Sequence, residues 1–269
     1  MRQRSNRFLT SLATTAAVSL MAATVAMAAT IVGDASSNVL TGTEQPDRIL
    51  ARGGDDTVNA LGAADLVRSG AGADTVDAGR GRDRVHGGVG NDTLNGGPGC
   101  DRVFGGADDD TIDGGPGFSF RRFRCERLHG GLGNDVLNGG LGRDFMSGGQ
   151  GDDRQSGGPG ADKLFANPGR DSSDGGDGHD VLLALARADV TAIGDPDGDE
   201  LSGGAGGDVF RVRDGEVDVV HCGEGRDRVL ADQFDDVDND CERVIRRYVR
   251  SLDQVEDGEE NRTENPSLN

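Results

Sequence analysis

A nine-residue pattern that repeats along most of the chain constrains its fold more than any other feature. Residues 87–95 read GGVGNDTLN, residues 96–104 read GGPGCDRVF and residues 105–113 read GGADDDTID. Extending this register in both directions gives 21 units between Gly33 and Leu230. The sixth position is aspartate in 19 units, and the eighth position is apolar in 18. A fixed short period predicts a solenoid in which each unit stacks on its neighbours.

The template G-G-x-G-x-D-x-U-x, where U is a large apolar residue, gives each unit a turn followed by a strand. Glycines permit the positive φ angles of a six-residue turn. The last three residues form a short strand whose middle side chain points inward. Two units then close one coil of the solenoid. Because neighbouring strands lie about 4.8 Å apart, the aspartates of successive coils form files along the solenoid.

This pattern resembles the RTX, or haemolysin-type, calcium-binding repeat. The resemblance implies an all-β fold, a parallel β-roll (a right-handed β-solenoid), with calcium ions held between successive turns. The sequence departs from the family pattern in three ways. The units between residues 33 and 77 have lost glycines, and Gln155, Ser173 and Thr191 replace the apolar eighth residue. The predicted export signal is N-terminal, whereas family members with type I secretion carry it at the C-terminus.

Files of carboxylates at this spacing repel one another, so a folded chain needs cations between them. Calcium takes six to eight oxygen ligands in flexible cages of carboxylates and carbonyls, whereas magnesium requires a stricter shell. Several Ca²⁺ ions are therefore the predicted cofactor, and folding is expected to be coupled to their binding. The alternative, a disordered linker, does not explain apolar residues held in one register. The predicted ligands are Asp74, Asp83, Asp92, Asp101, Asp110, Asp135, Asp144, Asp153, Asp162, Asp171, Asp180, Asp199 and Asp208.

The N-terminal segment, residues 1–28, has the composition of a secretory signal peptide. Arg2, Arg4 and Arg7 precede an apolar stretch that ends in Ala-Met-Ala at residues 26–28, which is a typical cleavage pattern. A membrane anchor is the alternative, but the stretch is barely of spanning length. We therefore expect a secreted, extracellular protein with no membrane span after signal removal. The formal net charge of −20 argues against nucleic acid as a partner and favours cations.

Four cysteines in an exported chain predict two disulfides. A seven-residue bulge at 118–124 interrupts the period, and allowing for it places Cys100 and Cys125 one coil apart, within reach of a disulfide. Cys222 and Cys241 are again separated by about one coil. The predicted pairs are Cys100–Cys125 and Cys222–Cys241. A zinc site is the alternative, although no two cysteines have C-x-x-C spacing.

The bulge is also the best single candidate for a partner site, because it combines phenylalanine with arginine, a composition typical of binding hot spots. The alternative is a loop that packs its rings against the roll. Its residues are Phe118, Phe120, Arg121, Arg122, Phe123 and Arg124. The predicted organisation is a signal peptide at 1–28, a calcium-binding β-roll at 29–230, a C-terminal cap at 231–250 and a disordered acidic tail at 251–269.

The outward positions predict two different faces. One face carries a file of threonines such as Thr75 and Thr93, and the other carries basic residues such as Arg84 and Arg102. The threonine file resembles ice-binding solenoids, although threonine also simply suits exposed strands. The chain has no H-E-x-x-H, G-x-S-x-G or P-loop motif, so we expect no catalytic residues and no enzyme. The favoured function is a structural or adhesive module that holds a cell-surface or extracellular polymer or protein. The alternative is an accessory region of an extracellular enzyme.

Overall fold

The strands of this chain follow the repeat, because each x-U-x triplet supplies one inward side chain between two outward ones. The computed structural model describes residues 27–117, 126–184, 194 and 196–249. Within these ranges the chain forms 25 β-strands and no helix. Accordingly, the described residues contain no helix that is long and apolar enough to cross a membrane.

The strands are short, mostly of three to six residues. The first twelve are β1 (Thr30–Val32), β2 (Val39–Thr43), β3 (Arg48–Gly53), β4 (Thr57–Leu61), β5 (Leu66–Ala71), β6 (Thr75–Asp77), β7 (Arg84–Val89), β8 (Thr93–Asn95), β9 (Arg102–Ala107), β10 (Thr111–Asp113), β11 (Arg127–Leu132) and β12 (Val136–Asn138). The others are β13 (Phe145–Gln150), β14 (Arg154–Gly160), β15 (Lys163–Ala166), β16 (Ser172–Gly178), β17 (Val181–Ala184), β18 (Glu200–Ser202), β19 (Ala205–Gly206), β20 (Val209–Val212), β21 (Val219–His221), β22 (Glu224–Gly225), β23 (Arg228–Ala231), β24 (Asp236–Val237) and β25 (Arg243–Arg246).

In the described part of the chain these strands build two parallel sheets. The first sheet has the order β1-β3-β5-β7-β9-β11-β13-β15-β17-β20-β23-β25. The second has the order β2-β4-β6-β8-β10-β12-β14-β16-β18-β21-β24, with β19 and β22 paired beside β16. Neighbouring strands are usually separated by two repeat units, as in the pairs Val67–Val85 and Val58–Val76. The predicted parallel β-roll is therefore confirmed.

The number of residues between paired strands increases at two insertions. Val103 pairs with Leu128, which is the step expected for one coil plus the seven-residue bulge. Leu182 pairs with Phe210, a step more than one unit longer than a regular coil, so the stack passes over the segment that the sequence register counted as a unit at 184–192. That assignment was wrong. The segment reads ALARADVTA and contains no glycine, the residue that adopts positive φ most readily. Its Thr191 lies outside the described residues.

The first sheet also differs from the template in the length of its strands. Strands such as β7 and β9 have six residues, and they continue to pair through Gly88–Gly106 and Val89–Ala107. The prediction that the first six residues of each unit form a turn is therefore wrong for much of this sheet. The two glycines that open the unit still belong to the preceding strand and pair with the next coil. In the second sheet, β6, β8 and β10 do end after three residues.

Side chains at the eighth position fill the interior from both sheets. Val85 and Val103 project from the first sheet, Val76 and Leu94 project from the second, and each is at most 1% exposed. Burial of one such side chain stabilises the fold by about 1.5–3 kcal/mol. The predicted inward file is thus confirmed for these units.

Gln155 and Ser173 interrupt this file, and they pair across adjacent strands of the second sheet. Both are buried. We expected them to hydrogen-bond one another or trapped water, and they do not hydrogen-bond one another. Gln155 Nε2 donates instead to the Phe165 carbonyl oxygen across the core, at 2.6 Å. Gln155 Oε1 and Ser173 Oγ have no hydrogen-bond partner.

Residues 231–249 extend both sheets beyond the last regular coil. β24 pairs with β21, and β25 pairs with β23. The Cys222–Cys241 disulfide, with Cα atoms 5.3 Å apart, ties this segment to the roll and confirms the predicted pair. Cys100 is also disulfide-bonded, but its predicted partner Cys125 lies outside the described residues. Residues 1–26 of the predicted signal peptide and the predicted tail at 251–269 also lie outside the described residues.

Candidate calcium-binding ladders

The sixth residue of each unit joins one of two ladders that run the length of the roll. Its backbone N–H donates to a side-chain oxygen of the equivalent residue one coil later, at 2.6–3.0 Å. The first ladder contains Asp47, Asp65, Asp83, Asp101, Glu126, Asp144, Asp162, Asp180, Asp208, Asp227 and Glu242. The second contains Asn38, Asp56, Asp74, Asp92, Asp110, Asp135, Asp153, Asp171, Asp199 and Asp218.

All thirteen predicted aspartates belong to these ladders, and the structure adds others. Asp47, Asp56 and Asp65 extend the ladders into the coils with lost glycines, and Asp218 and Asp227 extend them one coil beyond Asp199 and Asp208. The signal was present in the sequence, because these residues share the sixth position of the register. Glu242 had no such signal, since the nine-residue period fades before it.

One oxygen of each ladder carboxylate accepts the backbone hydrogen bond, and the other oxygen does not take part in the ladder. This second oxygen is buried and has no hydrogen-bond partner in every predicted ligand except Asp199. A buried carboxylate without a counter-charge is strongly unfavourable. The residues left in this state are Asp74, Asp83, Asp92, Asp101, Asp110, Asp135, Asp144, Asp153, Asp162, Asp171, Asp180 and Asp208, together with Asp56, Asp65, Glu126, Asp218 and Asp227.

The pKa values of the ladder carboxyls are raised, as expected for buried groups without a counter-charge. Burial, assisted by the charge of the aspartate one coil away, raises the pKa of Asp83, Asp92 and Asp101 to about 7, although the backbone N–H that each accepts opposes the shift. Burial and the charges of Asp101 and its neighbours raise the pKa of Glu126 to about 9. Without a cation, these groups therefore favour the protonated form near neutral pH.

The turns also place carbonyl oxygens beside these carboxylates. A Cβ at Gly87 would collide with Asp92 Oδ2 and with the Gly105 carbonyl oxygen. The same crowding is found around Gly105, from Asp110 Oδ2 and the Gly130 carbonyl oxygen. The space at the first glycine is thus lined by one carboxylate oxygen and one backbone oxygen. This all-oxygen donor set fits calcium, which accepts irregular cages of carboxylates and carbonyls. Bound there, calcium would supply the missing counter-charge.

Glycines at the second and fourth positions are favoured for a different reason. Gly88 and Gly90 have φ angles of 139° and 114°, which side chains with a Cβ rarely adopt. In the early units Arg52, Leu61 and Ala63 occupy such positions, with φ between 75° and 87°. Each costs about 1–2 kcal/mol relative to an unstrained residue. The early coils therefore keep the shape of the roll at some cost in stability.

The outward faces agree with the sequence prediction where they are described. Thr57, Thr75, Thr93 and Thr111 align in register on the second sheet, and the file ends at Val136. On the first sheet, Arg84, Arg102 and Arg127 align in the same way. The predicted partner residues Phe118, Phe120, Arg121, Arg122, Phe123 and Arg124 lie outside the described residues, so their role remains a prediction.

A parallel solenoid that buries two ladders of carboxylates beside turn carbonyls belongs to the class of calcium-dependent repeat proteins. A family model for the RTX calcium-binding nonapeptide repeat, built from four copies, matches residues 32–67, 60–94, 68–101, 86–120, 126–155 and 156–182. Because these matches span more than half of the 269 residues, the chain belongs to the RTX repeat family. No curated protein matches the chain closely.

Proposed function

We propose that this chain is a secreted module that folds when it meets extracellular calcium and then acts by binding a partner rather than by catalysis. The observation that carries this proposal is the pair of ladders with buried, partnerless carboxylate oxygens. Extracellular calcium modules bind their ions at about 10⁻⁴–10⁻³ M. A chain of this kind would stay unfolded in a cytosol poor in calcium and would order itself after export.

The narrow core supports the same proposal. Many strands, such as β6, β8 and β10, bury one modest apolar side chain, whereas ordering each residue costs about 1–2 kcal/mol of backbone entropy. Glycine, which supplies 46 residues, loses more entropy than any other residue on folding. Ion binding therefore has to contribute a large share of the folding free energy, as it does in other small-core metalloproteins.

A calcium titration tests this proposal. The chain that begins at Ala29, without the predicted signal peptide, is dialysed against EDTA and titrated with CaCl₂, while far-ultraviolet circular dichroism and hydrodynamic radius are recorded. We expect a spectrum of unfolded chain in EDTA, with β-structure and compaction appearing near millimolar calcium. Magnesium at the same concentrations is the control and should restore much less structure. A full β-spectrum in excess EDTA at neutral pH would contradict the proposal.

The described histidines support a non-catalytic role. His86 stacks on Phe104 with ring centroids 4.8 Å apart, and His221 Nδ1 lies 2.7 Å from the Asp238 carboxylate on the surface. Each has a structural explanation in the strand that carries it. The competing proposal, an accessory region of an extracellular enzyme, requires a catalytic domain. Hydrolase activity of the purified chain against ester, peptide or glycoside substrates would favour that alternative.

For the partner, the first sheet offers a basic surface on an otherwise acidic chain. Arg82, Arg84 and Arg102 line a surface groove of about 350 Å³, and none of them forms an ion pair with a described carboxylate. Partial burial and the neighbouring charges of Arg84, Arg127 and Arg82 lower the pKa of Arg102. Three guanidinium groups therefore share this groove, whose lining also includes the buried Asp65 and Asp83. A linear sulfated or carboxylated polysaccharide fits it, because parallel strands repeat the cationic groups at regular spacing.

Retention on immobilised dextran sulfate at saturating calcium tests this partner chemistry. We expect salt-sensitive retention of the wild type that is lost when Arg82, Arg84 and Arg102 are all changed to Gln. A matched triple change at Arg154, Arg170 and Arg226, which lie elsewhere on the roll, should leave retention intact. Equal loss in both triples would show that only net charge matters. Preference for single-stranded DNA over the polysaccharide would show that the partner class is wrong.

A further inference from the structure

A second groove, of about 180 Å³, lies on the first sheet and also has a cationic lining. Arg143, Lys163 and His179 line it together with Phe145. All the residues around it stand at the fifth, sixth or seventh position of their units, and the same positions line the basic groove described above. The two grooves therefore occupy equivalent places on the roll, in different coils.

A file of outward side chains at the seventh position joins the two grooves. Arg84 pairs in register with Arg102, and Arg102 pairs with Arg127. Phe145 follows on the next strand, and Lys163 on the strand after it. Because neighbouring strands lie about 4.8 Å apart, this file of five side chains extends for about 19 Å along the axis of the roll. Of its members, only Phe145 is uncharged.

Phe145 does not interrupt the line of cations, because the cations of both neighbouring strands lie over its ring. The ring centroid is 4.9 Å from Arg127 Cζ and 5.9 Å from Lys163 Nζ. The face of an aromatic ring attracts cations at these distances. The aromatic side chain therefore keeps the cations of the first groove close to those of the second.

The acidic residues that line the grooves are buried beneath this file. They belong to the first ladder, and each of them is at most 3% exposed: Asp65 and Asp83 in the first groove, Asp144 and Asp162 in the second. Arg84 and Arg127, by contrast, are exposed on the outer face of the sheet. A ligand that approaches this face therefore meets the cations before it meets the carboxylates.

The cations of the file also lie directly beside one another. Like charges at paired positions of neighbouring strands destabilise a sheet, and Arg84, Arg102 and Arg127 occupy three such positions in succession. A bound polyanion would replace this repulsion with attraction in each of the three coils. A chain of anionic groups running from coil to coil matches the arrangement better than a single small anion does.

We propose that the polysaccharide partner lies along the axis of the roll, in the file from Arg84 to Lys163, and contacts both grooves at once. This path rests on the proposed function, and it adds a direction and a minimum length for the polyanion. An oligosaccharide much shorter than about 19 Å reaches one groove only. A longer one links the two contacts, so the second contact becomes intramolecular and the affinity rises steeply with length.

Heparin oligosaccharides of two and eight sugars test the path at saturating calcium, because the first is shorter than the file and the second is longer. Each is titrated against the folded chain in competition with a fluorescent octasaccharide. For the wild type we expect the octasaccharide to bind at least tenfold more tightly than the disaccharide. Changing Arg143 and Lys163 to Gln together should remove most of this gain and leave binding of the disaccharide, which the first groove still supports.

The matched control is a double change of Arg154 and Arg170 to Gln, since both arginines are exposed outside the file and the same net charge is lost. It should bind the octasaccharide within about twofold of the wild type. An octasaccharide affinity that falls equally in the two double variants, or that is unchanged in Arg143→Gln with Lys163→Gln, overturns the axial path.

Circular dichroism at saturating calcium shows whether each variant folds. If the double change in the second groove does not fold, Arg143→Gln alone replaces it, because Arg143 is exposed in a turn. The single variant should show a smaller loss in octasaccharide affinity, and an unchanged affinity then overturns the path. A wild type that binds neither oligosaccharide contradicts the proposed partner and the path together. Octasaccharide binding that depends on the first groove alone supports the partner and overturns only the path.

Discussion

Acidification should replace calcium in stabilising the roll, because protons and calcium neutralise the same carboxylates. Burial raises the pKa of Asp83, Asp92, Asp101 and Asp110 from 3.8 to about 7 in the calcium-free fold. The folded state therefore binds more protons than the unfolded state between these two pH values. The resulting stability is present in full below pH 4 and is lost as the pH rises through about 7.

The magnitude follows from the size of the shift. Each pKa unit corresponds to about 1.4 kcal/mol, so a shift of three units corresponds to about 4 kcal/mol per carboxylate. The turns lie near solvent, and allowing for screening reduces this to about 2 kcal/mol. For the four aspartates the penalty at neutral pH is then about 8 kcal/mol, which is comparable to the whole stability of a typical domain, about 5–15 kcal/mol.

The assay compares the chain in EDTA at pH 7.5 and at about pH 5.3, above its pI of about 4.4, by circular dichroism and hydrodynamic radius. We expect unfolded chain at the higher pH and recovered β-structure at the lower pH. Asp83→Asn should stabilise the calcium-free chain at pH 7.5, by about 2 kcal/mol on the same arithmetic. Asp177→Asn, at an exposed position, is the control and should have no effect. Equal structure at both pH values in EDTA would refute the reasoning.

Three further predictions concern the stability of the roll in the presence of calcium. Ser173→Ala removes a buried hydroxyl without a partner, so urea unfolding at saturating calcium should show a gain of about 1 kcal/mol; a loss of stability would indicate a hidden partner for the hydroxyl. Hydrogen exchange at intermediate calcium should be faster at 148–174, where the inward file is polar, than at 87–113, and equal protection would contradict this. Replacing both Cys222 and Cys241 with Ala should lower the free energy of unfolding by about 3 kcal/mol, because their disulfide joins residues separated by 19 positions. Reduction of the wild type should reproduce this loss of stability. An unchanged urea midpoint in both cases would show that the disulfide does not stabilise the fold.

The sequence by itself determined the features that repeat within one coil. The repeat predicts that the sixth-position aspartates form ladders and that the eighth-position apolar side chains form the inward file. Both predictions hold for any stack of two-unit coils, because the residues that contact one another are equivalent residues one coil apart. The pairing of Cys222 with Cys241 followed from the same arithmetic. So did the lengthened step across the bulge, seen in the alignment of Val103 with Leu128.

Tertiary structure decided what depends on neighbours outside the period. The stack passes from Leu182 to Phe210, although Asp189 between them fits the register. Gln155 reaches the Phe165 carbonyl oxygen, since the hydrogen-bond partner of a buried amide is whichever group lies across the core. The proximity of Glu216 to Asp199 and Asp218 was likewise visible only in the tertiary structure. The sixth position predicts that the two aspartates lie close together, but the template has glycine at the position of Glu216.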